Sequence, residues 1–225
     1  MQLKNIYFLR IAYQKIRLFL IRIKTNGLFS QLLFNGIKVH SNGCYKLSKD
    51  ILGLNNVIRI GKNSFIKSAT VRIHGNNNQL IIDDNVIIGP NCSFWMEGNN
   101  CRIHIGSKTT VTRDVQLNCQ ENDMEISLGQ DCMLSNNIII RTSDSHPIYD
   151  ENTGNRINLP KSISIGNHVW IAPNTKIMKG AIIGDGCIIG SDTTVSKIIP
   201  PQSLAVGRPC KIVKTGVKWT RENLF

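Results

Sequence analysis

Large aliphatic residues recur every six positions in the last third of the chain, in the series Ile165, Ile171, Ile177, Ile183, Ile189 and Val195. Small or β-branched residues follow the first five of them at a spacing of four: Val169, Thr175, Ala181, Cys187 and Thr193. A period of six fits neither an α-helix nor an alternating hairpin. It predicts three short strands per coil, each pointing one aliphatic side chain inward, with the coils stacked on a continuous core.

A looser repeat precedes the hexads. Its elements recur at intervals of 22, 23 and 23 residues: Ile58-Arg59-Ile60-Gly61, Leu80-Ile81-Ile82-Asp83, Ile103-His104-Ile105-Gly106 and Ile126-Ser127-Leu128-Gly129. Asparagine runs precede three of these elements and predict corners with left-handed backbone, where stacked amides can form ladders. The next element, Ile163-Ser164-Ile165-Gly166, follows only after 37 residues. The extra fourteen residues predict a loop that leaves the coils within residues 141–160.

The beginning of the chain has a different pattern. Apolar residues spaced three and four apart predict an amphipathic helix over residues 3–24: Ile6, Leu9, Tyr13, Ile16, Leu20 and Ile23. Residues 1–49 contain nine Lys or Arg and no Asp or Glu, whereas the rest of the chain carries a net charge of only +3. The helix, in a segment 1–40, either packs on the body or another subunit or lies on an anionic membrane surface. Nucleic-acid binding is the weakest interpretation, because the body shows no nucleic-acid module.

Composition limits the kinds of protein that this chain can be. The length of 225 residues with 41% apolar residues suits one domain with an accessory element. The seven cysteines show neither a CxxC pair nor zinc-ligand spacing, so we interpret them as reduced core thiols of a cytoplasmic protein. The early apolar runs reach four residues, which predicts neither a signal peptide nor a transmembrane helix.

Four motifs, taken in order, resemble the hexapeptide-repeat acyltransferases: Asp144-Ser145-His146-Pro147-Ile148-Tyr149, Ile165-Gly166-Asn167-His168-Val169-Trp170-Ile171, Ile189-Gly190-Ser191 and Ala205-Val206-Gly207-Arg208-Pro209-Cys210-Lys211. The resemblance covers residues 50–215 and is nearest to enzymes that O-acetylate capsular or lipopolysaccharide sugars, including sialic acid. It implies an all-β, left-handed parallel β-helix over residues 41–215, followed by a tail at 216–225. It also implies a homotrimer with acetyl-CoA in the groove between neighbouring β-helices.

The resemblance implies roles for individual residues. His146, in the extruded loop, is the general base that deprotonates a sugar hydroxyl, and Asp144 or a backbone carbonyl orients its ring. Trp170 lies beside the thioester and the acceptor, or else it caps the core. The pantetheine arm follows Ala172, Gly190 and Ser191. Arg208 and Lys211 pair with CoA phosphates, unless they are solvated surface charges, and Pro209 lies against the adenine.

This chain departs from the family at two of these positions. The family usually has a small residue in place of Arg208 and an alanine in place of Cys210. We expect structural roles for the four other histidines, His40, His74, His104 and His168. Neither Trp219 nor the tail that contains it receives an assignment.

The resemblance therefore implies an acetyl-CoA-dependent O-acetyltransferase of a bacterial surface-polysaccharide sugar, and we expect it in the cytoplasm or on the inner face of the membrane, with no metal and no nucleic acid. The nearest alternative is N-acetylation of a nucleotide-linked amino sugar. A γ-type carbonic anhydrase needs three zinc-ligating histidines, but His146 and His168 are isolated and no HxxxxH pair occurs. A non-catalytic β-helical scaffold is the third class. The sequence does not identify the sugar or its hydroxyl.

Overall fold

A computed structural model describes residues 37–41 and 43–224, so the helix predicted over residues 3–24 lies outside the described residues. Within them the chain forms β-strands wound into a three-faced parallel coil. The first face is one sheet of β1 Ile37–Ser41, β3 Asn56–Ile60, β5 Gln79–Ile82, β8 Arg102–Ile105, β10 Glu125–Leu128, β12 Ile163–Ile165, β15 Ile182–Ile183 and β18 Ile198–Ile199.

A second sheet forms the other two faces, because its long strands bend around the corner between them. Its strands are β2 Cys44–Leu52, β4 Phe65–His74, β6 Ile87–Ile88, β7 Cys92–Glu97, β9 Thr110–Gln120, β11 Met133–Arg141, β13 Trp170–Ile171, β14 Lys176–Ile177, β16 Ile188–Ile189, β17 Thr194–Val195, β19 Ser203–Val206 and β20 Lys211–Thr215. The second face holds β6, β13, β16 and β19, and the third face holds β7, β14 and β17.

The hexad prediction is confirmed. The six aliphatic residues of the series are 0–2% exposed, and the five smaller residues that follow them are fully buried. Stacking keeps the residues in register, with Ile171 opposite Ile189 and Ile177 opposite Val195 on successive coils. One aliphatic column per face therefore fills the interior, as a six-residue period requires.

The asparagine corners are also confirmed. Asn55, Asn77 and Asn100 have φ values of 57° to 59°, the left-handed conformation that asparagine tolerates best among residues with a side chain. The amide of Asn78 accepts the Cys101 N–H at 2.8 Å and donates to the Gly98 carbonyl at 2.9 Å. Stacked amides thus satisfy the backbone of neighbouring coils at a corner where no strand can.

The extra residues leave the coil where the sequence predicts. No strand forms between Arg141 and Ile163, and a single antiparallel bridge joins Tyr149 to Arg156. The Lys161 N–H donates to the Thr142 carbonyl at 3.0 Å and closes the base. Residues 142–161, which we call the loop, therefore leave at the corner between the third and first faces.

The C-terminal segment folds back on the coils. Strand β20 pairs antiparallel with β19, and Trp219 is only 6% exposed. The Trp219 ring stacks on His168 with 4.0 Å between centroids, and its indole N–H donates to the His168 carbonyl at 2.9 Å. Arg221 donates to the Asp131 carboxylate at 2.8 Å. Trp219, unassigned from the sequence, thus anchors this segment on the second face.

Six cysteines have described side chains, and all six are buried and free: Cys92, Cys101, Cys119, Cys132, Cys187 and Cys210. Burial raises the pKa of the Cys187 and Cys210 thiols, and that of Cys132 to about 11. The interpretation as core thiols is therefore confirmed for these six. In the part of the chain that the structure describes, no helix is long and apolar enough to span a membrane.

Candidate active site

The loop is organised around one buried amide. The side chain of Asn158 donates to the Asp144 carboxylate at 3.0 Å and to the His146 carbonyl at 2.8 Å, and it accepts the Ile148 N–H at 2.8 Å. Asn158 is only 8% exposed, so these bonds form largely away from competing water. The backbone on both sides of His146 is thereby held in place.

Two ion pairs tie the loop to the coils. Lys179, at the end of the third face, pairs with Asp144, and Arg156 forms a two-pronged pair with Glu121 at 2.6 and 2.7 Å. The bond from Lys179 holds the pKa of Asp144 below its usual value, and the bonds from Arg156 do the same for the pKa of Glu121. Both carboxylates are therefore stabilised in their ionised form, which keeps the loop in one position.

His146 itself is exposed on this loop. Its ring makes no hydrogen bond to any residue of the described segments, whereas its backbone carbonyl is fixed by Asn158. Asp144, expected from sequence to orient the ring, instead contacts Lys179 and Asn158. The structure thus gives Asp144 a role in positioning the backbone around His146, and leaves the imidazole free to meet a substrate.

The predicted donor-site residues lie away from the loop, on other parts of the three-faced coil. Trp170 stands on the second face, in register with Met133 and Ile188, and its ring is 6.1 Å from that of Trp219. Ala172 and Gly190 occupy successive coils at the corner between the second and third faces. The Ala172 N–H donates to the Ile189 carbonyl and the Gly190 N–H to the Ala205 carbonyl, both at 2.9 Å. Neither amide is therefore free for a ligand.

Ser191, next along this corner, is exposed. Its backbone N–H has no hydrogen-bond partner within residues 37–41 and 43–224. A Cβ at Gly190 would lie 2.7 Å from a Val206 methyl group on the next coil, so the Val206 side chain would have to shift. The corner thus offers a narrow edge with one available N–H donor.

The nucleotide-end candidates are exposed at the last coil. Arg208 donates to the Asp192 carboxylate at 2.9 Å and to the Asp192 carbonyl at 2.5 Å, so its guanidinium is already engaged. Pro209 and Lys211 are also exposed, and Lys211 begins strand β20. Of the two predicted phosphate ligands, Lys211 is thus the one less committed to a partner.

The structure does not bring His146 and Trp170 together within one chain. The loop leaves at the corner between the third and first faces, and its ion pairs stay there. Trp170, Gly190 and Ser191 lie on the second face and at its corner with the third. One chain therefore presents the two halves of the predicted site on different edges.

The three other histidines whose side chains are described, His74, His104 and His168, have carboxylate partners. His168 contacts Asp131 at 2.7 Å and His104 contacts Asp83 at 3.0 Å, while His74 lies 3.2 Å from Asp50. Although burial opposes it, hydrogen bonds from His168 and Arg221 lower the pKa of Asp131. In the described part of the chain, no three His, Cys, Asp or Glu side chains are grouped so that they can hold a metal ion.

Comparison with known proteins identifies the family to which this architecture belongs. Residues 162–197 match the family described as "Bacterial transferase hexapeptide (six repeats)". The solved structure of the polysialic acid O-acetyltransferase OatWY is 35% identical, covers 83% of this chain and 92% of its own, and superposes with a TM-score of 0.69. The chain belongs to the hexapeptide-repeat acyltransferases. The predicted fold, a left-handed parallel β-helix with an extruded loop, is thereby confirmed.

Two further relatives of this hexapeptide-repeat protein are also named for the acetylation of polysialic acid. The polysialic acid-specific acetyltransferase NeuO is 28% identical, covers 84% of this chain and 91% of its own, and has a TM-score of 0.64. A polysialic acid O-acetyltransferase of Neisseria meningitidis is 41% identical over 58% of this chain. That match spans 59% of the meningococcal protein, and the match to an Escherichia coli counterpart spans 38% of the relative.

Proposed function

We propose that this chain transfers an acetyl group from acetyl-CoA to a hydroxyl of a bacterial surface-polysaccharide sugar, with sialic acid as the first candidate. The observation that carries the proposal is the loop, which presents the unpartnered ring of His146 on a backbone fixed by Asn158. The similarity supports it, because the sequence is 35% identical to that of a polysialic acid O-acetyltransferase over most of both chains. A general base needs a nitrogen that is free to take the proton and a backbone that holds the ring within reach of the acceptor.

The residues divide the chemistry between them. The co-substrate supplies an acetyl thioester. The imidazole of His146 takes the proton of the sugar hydroxyl as the hydroxyl oxygen bonds to the acetyl carbon. In this proposal the free Ser191 N–H donates to the negative charge that develops on the carbonyl oxygen. As the carbon–sulfur bond breaks, the protonated imidazole returns its proton to the departing thiolate, which leaves His146 neutral for the next cycle.

The two halves of this site require two copies of the chain. Because His146 and Trp170 stand on different edges, the loop of one subunit must face the Trp170 edge of its neighbour. Closed rotational assembly provides that arrangement at every interface, and we propose a homotrimer. Mixing His146→Ala with Trp170→Ala subunits tests the arrangement, because mixed trimers contain some intact sites. Light scattering gives the mass, and no recovery in verified mixed trimers contradicts the shared site.

The reaction is tested by an acceptor screen. Full-length protein is incubated with isotopically labelled acetyl-CoA and with sialic acid, its oligomers, neutral polysaccharides and nucleotide-linked amino sugars, and the products are read by mass spectrometry. We expect O-acetylated sialic acid whose ester is removed by mild base. A base-stable amide on an amino sugar would instead establish the N-acetyltransferase alternative.

We also propose that the basic segment around residues 3–24 contacts anionic membrane, which places the enzyme on the inner face of the membrane. Full-length protein and a form lacking residues 1–36 are compared by co-sedimentation with anionic liposomes. The full chain should bind at low salt and release at high salt. Equal binding by both forms contradicts the proposal.

A further inference from the structure

One outward-facing ladder runs along the third face toward the loop. Asp50, Arg72, Trp95, Asn118 and Arg141 are consecutive partners in register on five successive coils. Four strand spacings separate the ends, or about 19 Å. Arg141 donates to the Ser143 carbonyl at 2.7 Å and to the Ser145 hydroxyl at 3.0 Å, next to His146. This Trp95 strip, defined by these five residues, thus ends beneath the proposed base.

The strip is incompletely hydrogen-bonded. Among the described residues, the buried side-chain polar atoms without a hydrogen-bond partner are Arg72 Nε, Trp95 Nε1 and Asn118 Oδ1. Leaving such an atom unpaired costs about 1–3 kcal/mol. These three atoms belong to adjacent positions of one outward ladder and not to the core. Their grouping indicates a surface whose partners come from another molecule.

The Arg72 side chain covers the aromatic part of the strip but is loosely held. Its guanidinium lies over the Trp95 ring at 4.8 Å from the centroid. Its contacts are long: 3.9 Å to Asp50, 3.8 Å to Glu97 and 3.4 Å from its Nη2 to His74 Nδ1. Moving this one flexible side chain uncovers the face of the indole ring over which it lies. A ligand can therefore replace Arg72 over Trp95 without any change in the coil.

Polar ladders flank the Trp95 strip on both sides. Toward the second face lies an open groove of about 450 Å³, rich in hydroxyl and amide groups, lined by Lys46, Ser48, Ser68, Ala69, Thr70, Asn91, Cys92, Ser93 and Gln116. Toward the first face, Gln120 donates to Glu97 at 3.3 Å and accepts the Ser145 hydroxyl at 2.9 Å. The third face is thus a broad polar surface with one aromatic ring at its centre.

We propose that the Trp95 strip and its groove bind an extended, carboxylate-bearing sugar chain and lead it to the His146 loop. A sugar ring presents C–H groups on one face and hydroxyls at its rim, which matches an indole bordered by amide and guanidinium groups. Lys46 and Arg72 supply the positive charge for carboxylates. The strip is longer than one sugar unit, so it selects polymers over monomers. The delivery to His146 rests on the proposed function; the binding does not.

Binding and transfer are measured separately to test the strip. Calorimetry on full-length protein without acetyl-CoA uses sialic acid oligomers of increasing length, with neutral glucose oligomers of equal length for comparison. Transfer to the same series is followed by mass spectrometry. The variants are Trp95→Ala, Trp95→Phe and Arg72→Ala, with Arg102→Ala as the control, because Arg102 is an ion-paired arginine on the first face. Thermal melting verifies that each variant is folded.

We expect wild-type affinity to rise with oligomer length and to be weaker for neutral chains. Trp95→Ala should weaken binding of the longest oligomer by about tenfold, with smaller losses for shorter ones, while Trp95→Phe loses less and Arg102→Ala loses nothing. Long-chain binding that is unchanged in folded Trp95→Ala and Arg72→Ala, or absent in the wild type, overturns the strip. Length-dependent binding without transfer to any acceptor overturns the proposed function and leaves the strip standing.

Discussion

The loop and the hexad coils hold their residues in place by different forces. In the coils, Trp170 and Gly190 are positioned by aliphatic columns such as Ile171 over Ile189, which stay in place as long as volume is conserved. In the loop, His146 is positioned by an amide and two ion pairs. The donor half of the proposed site therefore depends on packing, and the base half depends on charge and hydrogen bonding. Substitutions in the loop should therefore affect the base half without the donor half, and substitutions in the coils should affect the stability of the coils.

The largest effect is expected at the base itself. His146→Ala should lower kcat by about 10²–10⁴, the usual contribution of a general base, while acetyl-CoA affinity measured by calorimetry stays unchanged. The imidazole meets the acceptor on the loop, whereas the donor edge belongs to the coils, so rate and donor binding should separate. His104→Ala, at a carboxylate-paired histidine on the first face, is the matched control.

Two results would contradict this assignment. If the alanine variant keeps more than about a tenth of the rate, His146 is not the base. If acetyl-CoA binding weakens in step with the rate, the loop helps to build the donor site, and the contrast between the two regions is wrong.

The second effect is on stability and belongs to the coils. Ile189→Ala removes a fully buried side chain from the column between Ile171 and Ala205 and should destabilise the protein by about 2–5 kcal/mol. The measurement is chemical denaturation, with exposed Ile182→Ala as the control of equal chemistry. Equal losses in both variants would mean that stability is not concentrated in the column.

These regions also differ in what the sequence reveals. The hexads predict the coils because an inward residue every six positions is a local rule, repeated many times. The interval of 37 residues locates the loop for the same reason: the loop is where the count fails. His146 stood out because it alone among the histidines lies in that interruption and within a family motif. The regular part of the fold can thus be predicted from the spacing of residues in the sequence alone.

The anchors of the loop could not be read in this way. Lys179 meets Asp144 across 35 positions, and Arg156 meets Glu121 across another 35, in contacts that depend on how the loop folds. Proximity in sequence suggested Asp144 as the partner of the His146 ring, but Lys179 and Asn158 compete for the carboxylate. Trp219 was missed because only the returning C-terminal segment brings it to His168, 51 positions away. In the sequence, the charged residues Asp144 and Arg156 of the loop indicated that ion pairs could form, but not with which partners.

A third, smaller effect is expected at the buried amide of the loop. Asn158→Ala removes the bonds of the amide to the Asp144 carboxylate, the His146 carbonyl and the Ile148 N–H at once and leaves Asp144 paired with Lys179 alone, so His146 should lose its fixed position. We expect kcat to fall by about tenfold, with acetyl-CoA affinity unchanged and faster hydrogen exchange across residues 142–161. Asn152→Ala, at the exposed tip of the loop, should change neither quantity. Unchanged exchange in Asn158→Ala would show that the ion pairs suffice.

The smallest effect is a loosening of the loop by acid. Because the pKa values of Asp144 and Glu121 are lowered in the folded loop, both carboxyls bind protons more readily once the loop is released. Their stabilising contribution is therefore complete above the usual carboxyl range, about pH 4, and is lost as the pH falls through the lower folded values.

Hydrogen exchange measured between pH 6 and pH 3, corrected for the intrinsic rate, should show protection lost in residues 142–161 before the hexad coils, whose aliphatic columns contain no carboxyl group. Asp144→Asn removes one of the two carboxyls, so the loop of that variant should be looser at pH 6 and should change less on acidification. If protection is lost from loop and coils together, the ion pairs contribute to the whole fold. The division between a loop held by charge and coils held by packing would then not hold.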